Sequence, residues 1–150
     1  VGTMTRARQA QPSLLALAGL VAAGGAVGTT LRALLERAWP AEPGGWPWTT
    51  SAINLVGSFA LGALLETLAR QGPDEGRRRL VRLGAGTGVL GGFTTYSTFV
   101  VEVERRLSGG VVATGLAYAL VSVVLGLVAA WLGVAAAGAL RRTTSTGARP

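Results

Sequence analysis

Four stretches of the chain, residues 14–35, 50–68, 83–101 and 111–140, are so poor in charge that water is a bad solvent for all of them. The last three hold one charged residue between them, Glu66 near the end of the second, and the first holds only Arg32 near its end. A soluble domain interleaves charge with its apolar positions and carries roughly a quarter charged residues. Here the fraction is 14% against 49% hydrophobic. Each stretch is near or above the ~20 residues that a helix needs to cross a bilayer. The chain therefore reads as an all-α membrane protein of four transmembrane helices. Its membrane domain covers residues 13–140, between a polar N-terminal tail (1–12) and a Ser/Thr/Arg-rich tail (141–150) expected to be disordered.

The residue types that are missing narrow the chemistry. With no cysteine and no histidine, thiol nucleophiles, disulfides, thiolate or imidazole metal sites and imidazole proton relays are excluded, and no catalytic constellation remains. One Asp and six Glu are present, and all but Glu66 read as loop or helix-end residues. The net charge of +7 comes entirely from arginine. In a soluble chain it would point to nucleic acid, but here the arginines gather at helix boundaries, where they orient a membrane protein. With four crossings, ten of them share the face that holds both tails and the loop around residues 70–82. Arg32, Arg37, Arg105 and Arg106 belong to the other face. That bias predicts both termini on the cytoplasmic side. A basic tail leading into an apolar run that ends in Ala22-Ala23-Gly24-Gly25-Ala26 also has the outline of a secretory leader, but the run continues to Leu31, Leu34 and Leu35 without a clear cleavage site.

Loops and glycines add detail. The segment 36–49 carries Pro40, Pro43 and Pro47 with Trp39, Trp46 and Trp48, and tryptophan gathers at the headgroup level. Gly24 and Gly28 form one GxxxG pair, and Gly84, Gly88 and Gly92 form a double one, a spacing that lets helix backbones approach closely.

Residues 91–99, Gly-Gly-Phe-Thr-Thr-Tyr-Ser-Thr-Phe, do not read as packing alone. Two glycines followed by four hydroxyl residues make a poor continuous helix, since glycine costs about 1 kcal/mol and hydroxyls compete for backbone groups. A break is predicted in the middle of the third span. Broken backbone at membrane depth is tolerated only where it is buried in protein or lines a polar cavity or ion site. Two readings stand side by side: freed carbonyls that bind a cation beside a path of Thr94, Thr95, Ser97 and Thr98, or a kink satisfied by its own hydroxyls. Asn54, four residues into the second span, needs a partner or a ligand for its amide. Arg32 either snorkels to the interface or draws an anion toward a vestibule. Thr114, Tyr118 and Ser122 recur on one face of the fourth span, as ordinary contacts or as an extension of the polar path.

Three motifs, Gly24-Gly25-x-x-Gly28-x-x-x-Arg32, Asn54-x-x-Gly57-Ser58-Phe59 and Gly91-Gly92-Phe93-Thr94-Thr95-Tyr96-Ser97-Thr98-Phe99, together resemble the CrcB/Fluc family of fluoride channels. The resemblance covers the four-span plan over most of the chain. It implies a passive, fluoride-selective channel of the bacterial plasma membrane, not an enzyme, that exports cytoplasmic fluoride down its gradient. It implies an antiparallel dimer in lipid with two narrow pathways, and a central sodium ion held by carbonyls of the broken helix, here Gly91 and Thr94. The pore-lining residues it implies are Asn54 as an amide donor, Tyr96 and Phe99 as ring edges, Ser97 and Thr98 as part of the polar track, and Arg32 at the vestibule. Tyr96 departs from the family pattern, which has a phenylalanine there. The arginine bias adds that the antiparallel partner is either a second copy or a related subunit of opposite orientation.

A small four-span multidrug or metabolite antiporter is the alternative. Such a pump needs a carboxylate within the membrane to exchange protons, and Glu66 at a span end is a poor substitute. A purely structural subunit would explain the GxxxG spacing but not a hydroxyl-rich break beside an amide.

Overall fold

The computed structural model describes residues 12–146, and among these it contains helices and no strand. Helix α1 (Leu14–Ala38) starts on Ser13, whose hydroxyl accepts the Ala16 amide at 3.2 Å, an N-cap of the preferred residue type. Pro40, Pro43 and Pro47 keep the next segment out of helix, and α2 (Trp48–Arg70) begins directly after the last of them. Gly72, at φ 122°, and Pro73 then end α2.

The third apolar stretch departs from a simple span. Helix α3 (Gly76–Val81) passes into a π-helical stretch (Arg82–Leu90) and one α turn, α4 (Gly91–Phe93). The helix stops at Thr94, whose ψ of 158° is extended, and α5 (Ser97–Ser108) begins after Tyr96. The predicted break is therefore present, but the helix resumes and runs well past Val101, the expected end of the stretch. After Gly110, at φ 79°, α6 (Val112–Thr146) is the last described element. Residues 141–146 continue α6 where a disordered tail was expected, because no glycine or proline falls within residues 139–146. The N-terminal tail up to residue 11 and residues 147–150 lie outside the described residues.

Among the described residues, three helices are long and apolar enough to cross a membrane: Leu14–Ala38, Trp48–Arg70 and, within α6, Val112–Ala139. The exterior of the protein agrees with an apolar solvent. Leu17, Ile53 and Tyr118 are the buried large hydrophobic residues among those described, whereas Leu120, Leu127 and Trp131 stand about two-thirds exposed. A water-soluble fold would place such groups inside.

Packing follows the glycines. α1 lies against the π-helical stretch and α4, and α2 lies against α6. A methyl group on Gly24 would meet the backbone of Gly84, Gly88 and Val89, and one on Gly28 would meet that of Val89 and Phe93. On the other seam, Gly62 faces the Ala130 carbonyl and Gly133 that of Phe59. The GxxxG spacing is thus used within one chain, for backbone contact that any side chain would prevent.

Candidate functional site

The break is built around a clasp. The Thr95 amide donates to Asn54 Oδ1 at 2.8 Å, and Asn54 Nδ2 donates to the Thr95 carbonyl at 2.9 Å. A neutral amide satisfies both backbone groups of the residue that leaves the helix, which is what unpaired backbone in a low dielectric requires. One turn along α2, Gly57 leaves room for the Thr94 methyl, which a Cβ there would strike. The Asn54-x-x-Gly57 spacing is therefore a docking face for residues 94 and 95. Thr95 is buried, and its hydroxyl accepts the Thr98 amide at 3.1 Å while lying 3.1 Å from Thr98 Oγ1 and 3.3 Å from Ser97 Oγ. The Thr94 hydroxyl turns back to the Leu90 carbonyl at 3.0 Å. The reading of a kink satisfied by its own hydroxyls thus describes Thr94 and Thr95, whose hydroxyls bond within the segment.

Arg32 reaches the same break from α1. Its Nε donates to the Gly92 carbonyl at 3.3 Å, a carbonyl also approached by the Thr29 hydroxyl, and its Nη1 contacts the Glu36 carboxylate at 3.4 Å. Arg32 caps the end of α4.

Beside the clasp, a groove of about 410 Å³ runs between α2, the break and α6, lined by Asn54, Thr94, Thr95, Tyr96, Phe99 and Ser122 among others. The Ser122 hydroxyl is buried without a hydrogen-bond partner. Tyr96 is 79% exposed, and its ring lies 6.0 Å from that of Phe99, which lies 5.3 Å from Tyr118. Asn54, Tyr96 and Phe99 therefore meet at one groove, whereas Ser97 and Thr98 sit behind Thr95 and Arg32 lies at α4; these three are not among the groove's lining residues.

A second polar cluster follows immediately, and the sequence reading missed it. Glu102, read as a helix-end residue, is buried. Its two carboxylate oxygens accept from the Thr50 and Tyr118 hydroxyls, each at 2.8 Å. Arg106, 5% exposed, donates to the Glu102 carbonyl at 2.6 Å and to the Gly45 carbonyl at 2.9 Å, with its guanidinium 5.5 Å from the centre of the Tyr118 ring. Trp46 packs edge-on against Tyr118 at 5.4 Å and donates to Ser51 Oγ at 3.0 Å. The cue was helical spacing: Phe99, Glu102 and Arg106 fall on one face of α5, while Glu104 and Arg105 face outward. Thr50 with Asn54, and Tyr118 with Ser122, repeat at four residues on α2 and α6, so the groove and the charged cluster form one polar line.

A chain with three membrane-length apolar helices among the described residues, beside an interrupted helix, is a multi-pass membrane protein. It belongs to the family described as CrcB-like protein, Camphor Resistance (CrcB), whose profile matches residues 19–134. The chain is 52% identical over 120 residues to the fluoride-specific ion channel FluC 1 of Cutibacterium acnes, a match covering 80% of this chain and 84% of that one. It is 50% identical over 121 residues to fluoride-specific ion channel FluC 2 of Leifsonia xyli subsp. xyli, covering 81% and 83%. It is 44% identical over 123 residues to fluoride-specific ion channel FluC of Thermus thermophilus, covering 81% and 93%.

Proposed function

We propose that this protein is a passive fluoride channel of the plasma membrane, carrying the anion out of the cell down its electrochemical gradient. The observation that carries the proposal is its similarity, at 52% and 50% identity over about four-fifths of the chain, to proteins named fluoride-specific ion channels. The broken segment 76–108 acts as the fourth crossing, its two helical parts together spanning the bilayer. Two chains pair antiparallel, either two copies or this chain with a related subunit, and the exposed Tyr96 lies on the groove face that such a pairing would cover.

The groove suits the ion. Fluoride is small and strongly hydrated, so its path must offer close donors in place of water and stay too narrow for chloride. One N–H of Asn54 is held by Thr95, and a primary amide has a second to offer. Ser122 supplies an unengaged hydroxyl. Phe99 and Tyr96 present ring edges, the positive side of an aromatic quadrupole. Ser97 and Thr98 reach the path through Thr95, and Arg32, as the cap of α4, adds positive charge at its entrance. Past Phe99 the line continues to Tyr118, Thr50 and Glu102.

The donor set at the break suits a sodium ion, a hard cation that takes oxygen ligands. The Gly91 and Thr94 carbonyls would hold it, because the amides four residues on, those of Thr95 and Thr98, are bonded elsewhere. Bound there, the ion supplies a fixed positive potential in low dielectric. Glu102 reopens the antiporter alternative, since it is a buried carboxylate. Both its oxygens are engaged by hydroxyls, however, and Arg106 donates to its backbone carbonyl, an arrangement that ties the side chain into the packing of α2, α5 and α6.

Purified protein in liposomes should release fluoride when a potassium leak balances charge, with chloride released far more slowly. Comparable chloride release, or fluoride movement that requires a proton gradient, would defeat the channel reading.

A further inference from the structure

We propose that the arginine-rich turn after α2 is a docking surface for anionic lipid, with Arg77 and Arg79 engaging the headgroup phosphates. Residues 70–82 carry five arginines against Asp74 and Glu75, and the structure divides the five into two groups. Three are used within the turn. Arg70 pairs with Glu66, Arg78 donates to the Gln71 and Pro73 carbonyls at 2.9 and 2.8 Å, and Arg82 pairs with Asp74. Arg77 and Arg79 are joined by neither Glu75 nor any other carboxylate among the described residues. Arg77 is exposed and Arg79 half-buried. The bonds of Arg78 and Arg82 tie α3 back onto the end of α2, so the backbone that presents Arg77 and Arg79 is ordered before any ligand arrives, which lowers the cost of binding.

Two observations favour lipid over a free anion or a soluble acidic partner. The first is spacing. Residues two apart on a helix do not face the same way, so Arg77 and Arg79 flank Arg78 on opposite sides and reach separate phosphates. A leaflet of anionic lipid offers such an array, and each guanidinium can take a phosphate through paired N–H groups. The second is apolar surface at the same level. α1 runs parallel to the π-helical stretch, with Leu20 beside Gly84, Gly24 beside Gly84 and Gly88, and Gly28 beside Val89 and Phe93. Carried back along α1 at 1.5 Å per residue, its first turn stands at the end where α3 lies. Leu14 and Leu15 are largely exposed there, and Val81 is half-exposed on α3 itself. Guanidinium beside exposed aliphatic surface matches a phosphate above an acyl chain, and neither inorganic phosphate nor a soluble acidic protein would cover the leucines.

The measurement is thermal unfolding of the purified full chain in detergent at constant low salt, followed by tryptophan fluorescence, as dioleoyl phosphatidylglycerol or dioleoyl phosphatidylcholine is added. Phosphatidylglycerol should raise the unfolding temperature of the wild type, and phosphatidylcholine should raise it far less. In the double variant Arg77→Gln, Arg79→Gln the phosphatidylglycerol concentration giving half of that rise should increase roughly 30-fold, about fivefold for each arginine taken from an anionic surface. Arg37→Gln with Arg105→Gln removes the same charge from the last turns of α1 and α5 and should keep the wild-type dependence. An equal loss in that second pair would overturn the proposal, because net charge alone would then explain the lipid effect. A wild type that responds alike to the two lipids would overturn it too. So would inorganic phosphate acting as phosphatidylglycerol does at equal concentration, since the turn would then take an anion and not a lipid. None of these outcomes bears on the channel reading, which liposome efflux tests by itself.

Discussion

The break at Thr94–Tyr96 and the cluster around Glu102 both place polar groups between α2, α5 and α6, yet they solve the problem differently. At the break the polar groups are backbone, and a neutral amide with a few hydroxyls satisfies them. At the cluster they are full charges, and they are met by two hydroxyls, two backbone carbonyls and an aromatic face. Freed backbone is inexpensive to satisfy, because neutral donors and acceptors suffice. A buried carboxylate and guanidinium tolerate no free groups, since each uncompensated charge costs several kcal/mol. The break therefore needs only neutral partners, and the cluster holds three helices and the Trp46 loop in register.

The comparison breaks most decisively at Arg106. Replacing it with Met removes the donors to the Gly45 and Glu102 carbonyls and the charge that faces the Tyr118 ring. A loss of about 3–5 kcal/mol is expected, from two carbonyls left unmatched at about 1–3 kcal/mol each and the lost cation–π contact, read as a lowered unfolding temperature in detergent. Glu102→Gln should cost less, about 1–3 kcal/mol, because its amide oxygen can still accept one hydroxyl while its nitrogen cannot accept the other. If Arg106→Met unfolds like the wild type, the cluster does not anchor the fold.

At the break the larger effect should fall on flux. Asn54→Asp keeps an acceptor for the Thr95 amide but loses the donor to the Thr95 carbonyl and adds a negative charge to the groove. The added negative charge repels the anion, so fluoride efflux from liposomes should fall by roughly tenfold or more. Efflux equal to wild type from a folded protein would remove Asn54 from the path. Tyr96→Phe should leave efflux unchanged or higher, because the ring edge stays and only an exposed hydroxyl is lost; a large loss in the same liposome assay would make that hydroxyl an essential donor.

The break was legible in the sequence and the cluster was not, for a physical reason. Gly91-Gly92 and the hydroxyl run are compositional oddities inside an apolar stretch, and local propensity alone marks such a run as poor helix. The position of Asn54 also asked for a partner, although that partner is backbone, which no side-chain pattern names. Glu102 and Arg106 sit in Glu-Val-Glu-Arg-Arg, where alternating charge reads as a solvated helix end. Which of those charges turn inward depends on Thr50, Tyr118 and Gly45, between 16 and 61 residues away in the chain, and only the packing of α2 against α6 brings them together. The π-helical stretch was equally hidden. Its close contact with α1 was indicated by the glycine spacing, but its hydrogen-bond pattern was not.

A third charged contact, outside the spans, sharpens the contrast by removing burial. Asp74, in the loop after α2, and Arg82, at the start of the π-helical stretch, meet at 2.7 Å. Hydrogen bonding to Arg82 holds the Asp74 carboxyl below the usual carboxylate range, with further help from the charges of Arg82, Arg79 and Arg78. A carboxyl depressed in the folded state contributes stability above its unfolded value and loses it as the pH falls through the folded one. Whatever this contact adds is therefore present at neutral pH and disappears on acidification below the ordinary carboxylate range. Asp74 is fully exposed, so water and salt screen the pair. Asp74→Asn should move the neutral-pH unfolding temperature less than any variant above, and should slightly flatten its decline in acid. A loss comparable to that of Arg106→Met would mean that this loop contact, and not burial, sets how much a charge matters in this protein.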